Sequence, residues 1–205
     1  MLDELPEFKK NVLEALRQPL EDGMITITRS SLTATYPARF MLVAAMNPCP
    51  CGYYGSKNRD CRCTSKQIRQ YQSKVSGPLL DRIDIHIEVP SVGYRAMTGK
   101  HSGESSQAMA ERIMKARTAQ TRRLNGGCAV NARMSDQEIK AFCVIDEDSK
   151  RLMEMALTKF GLTARAYTKI LKVARTISDL EGQEDILAGH IAEAIQYRTL
   201  DRSMV

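Results

Sequence analysis

No stretch of the sequence is apolar for long enough to span a bilayer as a helix. No secretory leader is visible at its start. Without one, six cysteines in 205 residues argue for thiols or a metal site rather than a disulfide scaffold. The phosphate-cradling pattern Gly-x-x-x-x-Gly-Lys-Ser/Thr appears nowhere. Charge of one sign is also in short supply. Thirty Lys and Arg against 24 Asp and Glu leave a net +6 and a pI near 9.0. That mild balance fits a nucleic acid or nucleotide partner, and equally an ordinary soluble protein. Of the three histidines, His86 has no partner at metal spacing and reads as a surface residue. His101 lies in a polar, glycine-bearing stretch and reads as inert. A chain of this length makes one large domain or two small ones.

What is present centres on residues 40–90. Phe40 to Met46 is an uninterrupted apolar run that stops at Asn47-Pro48, the pattern of a strand buried on both faces. Pro48 biases Asn47 away from helical geometry, putting its amide at the carboxyl end of that strand, the edge where open α/β sheets bind ligands. Asn47 is either a phosphate- or water-positioning residue or a turn former. Further on, Ile83, Ile85, Ile87 and Val89 alternate with Asp84, His86 and Glu88, which predicts a strand buried on one face.

Between these runs lies a cysteine loop. Cys49-x-Cys51 and Cys61-x-Cys63 are nine residues apart, with Pro50, Gly52 and Gly55 available for tight turns. Four thiolates so spaced can close a tetrahedral Zn²⁺ site and staple a loop that has no core of its own. Free thiols, a redox pair and a disulfide are the alternatives. Arg59, Arg62, Lys66, Arg69 and Lys74 crowd this region, which can therefore meet nucleic acid or another subunit. Cys128 and Cys143 stand alone and read as packing residues.

Upstream, Phe8, Val12, Leu13 and Leu16 form one face of a helix from Glu7 to Leu20, with a stop at Glu21-Asp22-Gly23. Met24 to Thr28 alternates, Arg29-Ser30-Ser31 makes a polar tip, and Leu32 to Tyr36 returns as a hairpin partner. Residues 91–106 are polar with three glycines and read as a boundary. Beyond them the periodicity turns helical. Met109, Ile113, Ala116 and Leu124 mark a helix ended by Asn125-Gly126-Gly127. Ser135 to Glu138 is a capping box, and Leu152 to Phe160 stops at Gly161. A long helix follows the N-cap Thr163, and Ile191, Ala194 and Ile195 mark the last. Arg165 falls in the first turn of the long helix, where it opposes the macrodipole yet would meet an anion well.

Four stretches occur together in one family: Asp3-Glu4 after an apolar stub, Met46-Asn47-Pro48-Cys49-Pro50-Cys51-Gly52, Gly77-Pro78-Leu79-Leu80-Asp81-Arg82-Ile83-Asp84, and Thr163-Ala164-Arg165-Ala166-Tyr167. From the first residues to about Arg198 the chain resembles the carboxyl half of the magnesium-chelatase-like AAA+ ATPases of the YifB/ComM type. The second and third stretches are the specific ones. The resemblance implies an α/β remnant of an AAA+ P-loop NTPase core over 1–92, with a hairpin at about 24–36 and the cysteine loop at 49–63. A linker over 93–106 and an all-α helical lid domain over 107–205 would follow.

The resemblance also implies roles. Asp3 would help hold Mg²⁺ beside ATP and Glu4 would polarise the attacking water. Asn47 would position that water. Arg82 would reach the γ-phosphate of the adjacent subunit, and Arg165 would sense nucleotide from the lid. Arg29, at the tip of a hairpin facing the ring pore, would touch DNA phosphates. Each has a plainer reading: solvated acids for Asp3 and Glu4, an ion pair with Asp81 or Asp84 for Arg82, an exposed cation for Arg29 and Arg165. The implied whole is a cytoplasmic, hexameric ring motor acting on DNA. This chain would be a piece of it that does not turn over ATP alone. A non-enzymatic, zinc-stapled nucleic-acid-binding or interaction module is the competing expectation.

Overall fold

The computed structural model describes residues 1–30, 32–56, 58–90, 92, 103–124 and 130–198. Ser31, Cys128, His101, the Asn125-Gly126-Gly127 stop, most of the expected linker and the end of the expected lid lie outside the described residues. The chain divides into two units, Met1–Ile83 and Asp84–Arg202.

In the first unit a 3-10 turn at Leu5–Glu7 leads into α1 (Lys10–Ala15) and α2 (Arg17–Asp22). The apolar spacing predicts a single helix here, but Pro19 has no N–H to give the Ala15 carbonyl, and the helix breaks at Leu16. Leu13 is buried with Leu5, Val75, Leu79 and Leu80, whereas Phe8 and Val12 remain exposed. Gly23 ends α2 at φ 64, a left-handed conformation, and donates to the Pro19 carbonyl at 3.0 Å. The chain then enters β1 (Met24–Arg29), which pairs antiparallel with β2 (Leu32–Pro37) in the register Ile25↔Tyr36, Thr26↔Thr35, Ile27↔Ala34. This hairpin is the only sheet among the described residues, and it is largely exposed on both faces.

Two sequence expectations fail. Phe40 to Met46 is not a strand buried on both faces: Ala44 alone forms a bridge, parallel to Leu2, and Met41 is 85 % exposed. Burial of such a run on both faces requires flanking strands and helical layers; among the described residues no strand of the sheet flanks it, and Ala44 and Met46 are its residues packed against the cluster of Leu13, Leu79 and Leu80. Likewise Ile83 to Val89 is not a strand, and its burial is inverted. His86 is buried at 5 % exposure, whereas Ile85, Ile87 and Val89 face solvent. With no neighbouring strand for the isoleucines, the segment is fixed instead by its backbone, His86 N–H donating to the Tyr197 carbonyl at 2.7 Å. His86 is therefore not the surface residue that alternation suggests.

The first unit closes with α3 (Ser65–Gln72), opened by a Thr64–Gln67 capping box, and the short α4 (Gly77–Leu80), capped by Ser76.

The regular structure among the described residues of the second unit is helical, apart from an Ile145–Ile186 bridge: α5 (Ser106–Arg123), a 3-10 turn at Asn131–Arg133, α6 (Asp136–Phe142), α7 (Glu147–Phe160), α8 (Ala164–Glu181) and α9 (Ala188–Gln196). Met153, Ile170, Leu171, Ala174 and Ile191 form its centre. On α5 the expected face is only partly used. Ala116 is buried together with Gln120, but Met109 and Ile113 stay exposed, because α5 packs on α8 mainly through its carboxyl half. That half ends in a buried ionic cluster: Arg123 pairs with Asp179, which also accepts from Asn131 Nδ2 at 2.7 Å and lies 3.3 Å from Arg175 Nε. Cys143 packs into the core nearby, and burial pushes its thiol up to about 11.

The helix caps titrate. The Ser135 backbone N–H and hydroxyl hold the Glu138 carboxyl below its ordinary value, and Ser149, whose N–H donates to the Asp146 carboxylate at 2.8 Å, does the same for Asp146. Depressed carboxyls stabilise above the unfolded-state value and lose that contribution as pH falls through the folded one. Far-UV circular dichroism should therefore show α6 and α7 loosening only below the ordinary carboxylate range. Glu138→Gln should remove the α6 share of that acid-dependent loss.

Candidate functional site

Among the described residues of the first unit, one parallel pairing joins the segment of Asp3 and Glu4 to the segment that ends in Asn47. Leu2 N–H donates to the Val43 carbonyl at 2.8 Å, Ala45 N–H to Leu2 at 2.8 Å, and Leu5 N–H to Ala45 at 2.9 Å. Asp3 and Glu4 consequently leave the bridge beside Ala45 and Met46, at the same end of the extended run as Asn47. All three polar side chains are exposed. The Asp3 carboxylate accepts the Glu4 N–H at 2.9 Å. Glu4 itself has φ 51 and ψ 47, and among the described residues it is the only one other than glycine with positive φ. That conformation costs on the order of 1 kcal/mol and collects at functional sites. It survives here because the Glu4 carbonyl accepts from Glu7 at 2.8 Å and Leu5 is pinned to Ala45.

Tyr71 lies under this rim and was not legible as part of it. Burial, and then the Glu7 carboxylate, push its phenol up, against an opposing pull from the Asn47 backbone N–H. A tyrosine in a helix whose other apolar residue is Ile68 gives no sequence signal for such a place. Gln72 Nε2 donates to the Pro48 carbonyl at 3.0 Å, so α3 fixes the chain on the far side of Asn47 as well.

Arg82 has a partner that neither the resemblance nor the local sequence named. Its guanidinium donates to the Pro78 carbonyl at 2.7 Å and pairs with Glu21, at the end of α2. Arg29 ends β1 opposite Leu32 and is exposed at the hairpin tip. Arg165 is exposed in the first turn of α8, where Thr163 Oγ1 accepts the Ala166 N–H at 3.2 Å. It belongs to the second unit, and the other site candidates belong to the first.

The four cysteines of the loop converge. Their sulfurs all lie within 4.8 Å of one another, with Cys49–Cys51, Cys49–Cys61 and Cys51–Cys61 at 3.4, 3.7 and 3.6 Å. A tetrahedron with Zn–S of about 2.3 Å has edges of about 3.8 Å. A disulfide needs about 2.0 Å, and all four thiols are free. Gly52 at φ 80 and Gly55 at φ 78 turn the chain around the cluster. Backbone N–H groups point at the sulfurs, Tyr54 to Cys49 and Cys63 to Cys61, each at 3.4 Å. Backbone donation from Tyr53 and Arg62 draws Cys51 down to about 6. Burial and the neighbouring thiols, working against a backbone bond from Cys63, leave Cys61 near 12. Four soft donors at tetrahedral spacing fit a structural Zn²⁺.

No helix among the described residues is long and apolar enough to cross a membrane.

Comparison with known proteins matches residues 1–97 to the magnesium chelatase subunit ChlI family and residues 103–198 to the C-terminal family of the same subunit. The YifB protein of Salmonella typhimurium is 43 % identical over 100 % of this chain and 40 % of its own length. The competence protein ComM of Haemophilus influenzae is 46 % identical over 98 % of this chain and 39 % of its own. A Mycobacterium tuberculosis protein is 36 % identical over 96 % of this chain and 39 % of its own. The chain thus spans about 40 % of the length of the curated relatives it matches. With both family models matched in order along it, the chain belongs to the magnesium-chelatase-like family that includes YifB and ComM.

Proposed function

We propose that this chain supplies the second half of the nucleotide site of an ATP-driven, ring-forming motor that acts on DNA. One observation carries the reading: the Leu2–Ala44 parallel bridge, which sets Asp3 and Glu4 beside the end of the Asn47 segment. Residues 1–92 then belong to the AAA+ core and 107–205 to the lid, with 93–106 between them.

The oxygen donors at this rim fit Mg²⁺, a hard cation that keeps much of its water. Bound Mg²⁺-ATP would supply the phosphoryl group and neutralise its charge. Asp3 would hold the metal directly or through water, and its bond to the Glu4 N–H keeps its carboxylate at the rim. Glu4 would accept the proton of the attacking water, and Asn47 would orient that water. Arg82 would serve the nucleotide of a neighbouring identical subunit, probed by experiment below. Arg165 would bring a guanidinium and the α8 N-terminus to the phosphates. Arg29 would contact DNA backbone, and the four cysteines would hold Zn²⁺ as a staple. A hexameric ring in the cytoplasm is the assembly this reading requires. The cysteine loop and the Gly-Pro-Leu-Leu-Asp-Arg stretch, which resemble the ComM-type members, favour DNA over a porphyrin as the substrate.

The test is Glu4→Gln in the complete protein. ATP hydrolysis should fall by about 10²–10⁴-fold with nucleotide binding retained. Full hydrolysis in that variant would sink the motor assignment. A second reading, a zinc-stapled nucleic-acid-binding module without enzymatic activity, is favoured by the thiol cluster. It would be upheld by DNA binding that is indifferent to both ATP and Glu4→Gln.

A further inference from the structure

The chain's positive charge is not spread evenly. Between Lys57 and Lys74 the sequence holds six lysines and arginines against one acid, Asp60, in a protein whose net charge is only +6. Arg62, Lys66 and Arg69 are exposed, and among the described residues none of them enters an ion pair. By contrast, Lys74 is neutralised by Glu7 at 3.3 Å. These free cations sit on a stiff frame. Arg62 lies between two cluster thiols, Cys61 and Cys63. Lys66 and Arg69 are three residues apart on α3, which starts directly after Cys63 through the Thr64–Gln67 capping box. Beside them Arg59 stacks on the Tyr53 ring at 4.3 Å and donates to its hydroxyl at 2.7 Å, and Tyr54 is 53 % exposed.

We propose that the cysteine loop and the basic face of α3 form a surface for the phosphate backbone of nucleic acid, with Arg62, Lys66 and Arg69 as its contacts. Unpaired cations on a preorganised frame lose little freedom when they meet phosphates, and they release the counterions condensed there. An exposed tyrosine next to a cation–π pair adds a platform on which a base can stack, whatever its identity. The surface therefore positions a strand without reading its sequence. This rests on the nucleic-acid part of the reading above and not on its ATPase part.

The experiment uses the complete protein and a fluorescein-labelled oligothymidine, with binding followed by anisotropy across a salt series and without ATP. Arg62→Gln/Lys66→Gln/Arg69→Gln should weaken binding at least about tenfold at moderate salt. It should also flatten the log–log salt slope by about 2, the share of three phosphate contacts on a single strand. Arg62→Lys/Arg69→Lys should keep the slope, which separates lost charge from a damaged loop. ATP hydrolysis without DNA should be unchanged in both, so that failure of this proposal and failure of the motor assignment are read separately. A labelled duplex in place of the single strand should bind less tightly than oligothymidine if Tyr54 stacks. Unchanged affinity and slope in the triple variant would overturn the proposal. So would equal, equally salt-dependent binding of polyglutamate, which would mark an acidic protein as the partner.

Discussion

Arg82→Ala in the complete protein is expected to cut ATP turnover by about 10³–10⁵-fold, the range an arginine finger contributes. A fixed, planar cation is what a transferring phosphoryl group requires of a neighbour, and alanine leaves that charge uncompensated. Arg82 also does something within its own unit, since it ties Glu21 at the end of α2 to the Pro78 carbonyl. The two roles separate by variant. Glu21→Gln breaks the same ion pair but leaves the guanidinium in place, so hydrolysis should change only a few-fold. If Glu21→Gln costs as much as Arg82→Ala, the arginine is structural and the finger role is wrong. Assemblies mixing wild-type and Arg82→Ala subunits give the sharper readout. Each defective subunit should silence its neighbour's site, so that activity falls according to which pairs adjoin and not according to the number of altered subunits.

The second large effect concerns metal. The purified protein should carry one Zn²⁺ per chain by elemental analysis, and Cys49→Ser should abolish it. Cys49 is fully buried at the centre of the cluster, 3.4 and 3.7 Å from two of its partners. Structural zinc in small modules contributes on the order of 10 kcal/mol at neutral pH. Loss of the metal should therefore unfold the loop from Cys49 to Cys63 rather than merely loosen it. Proteolysis at exposed Tyr54 or Arg59 would report the opening. Cys143→Ser is the control: that cysteine packs in the helical unit, and its replacement should leave the metal content untouched. A zinc content well below one per chain under reducing conditions, with Cys49→Ser no more sensitive to protease than wild type, would discard the tetrathiolate.

How much of this was legible in the sequence depended on how local the cause was. The β1–β2 hairpin follows from alternation and a polar tip within fourteen residues, and the Ser135 and Thr163 caps follow from one side chain meeting one N–H. The four cysteines are close in sequence, so their convergence was visible too. Burial was not. Phe40 to Met46 and Ile83 to Val89 carry strand-like patterns, but whether a pattern is buried depends on the elements that lie against it. The Arg82–Glu21 pair joins residues 61 positions apart, and nothing near either one announces the other. The left-handed backbone of Glu4 was likewise invisible, because it arises from the Leu2–Ala44 and Leu5–Ala45 pairings on either side of it.

One feature of the chain joins its two chemistries. A single proline separates Asn47 from Cys49, and the Asn47 amide also lies within 4 Å of where a side chain on Gly52 would begin. The Asn47 amide and the thiol cluster thus share one short turn of chain. Anything that rearranges the four sulfurs would therefore be felt at that amide as well.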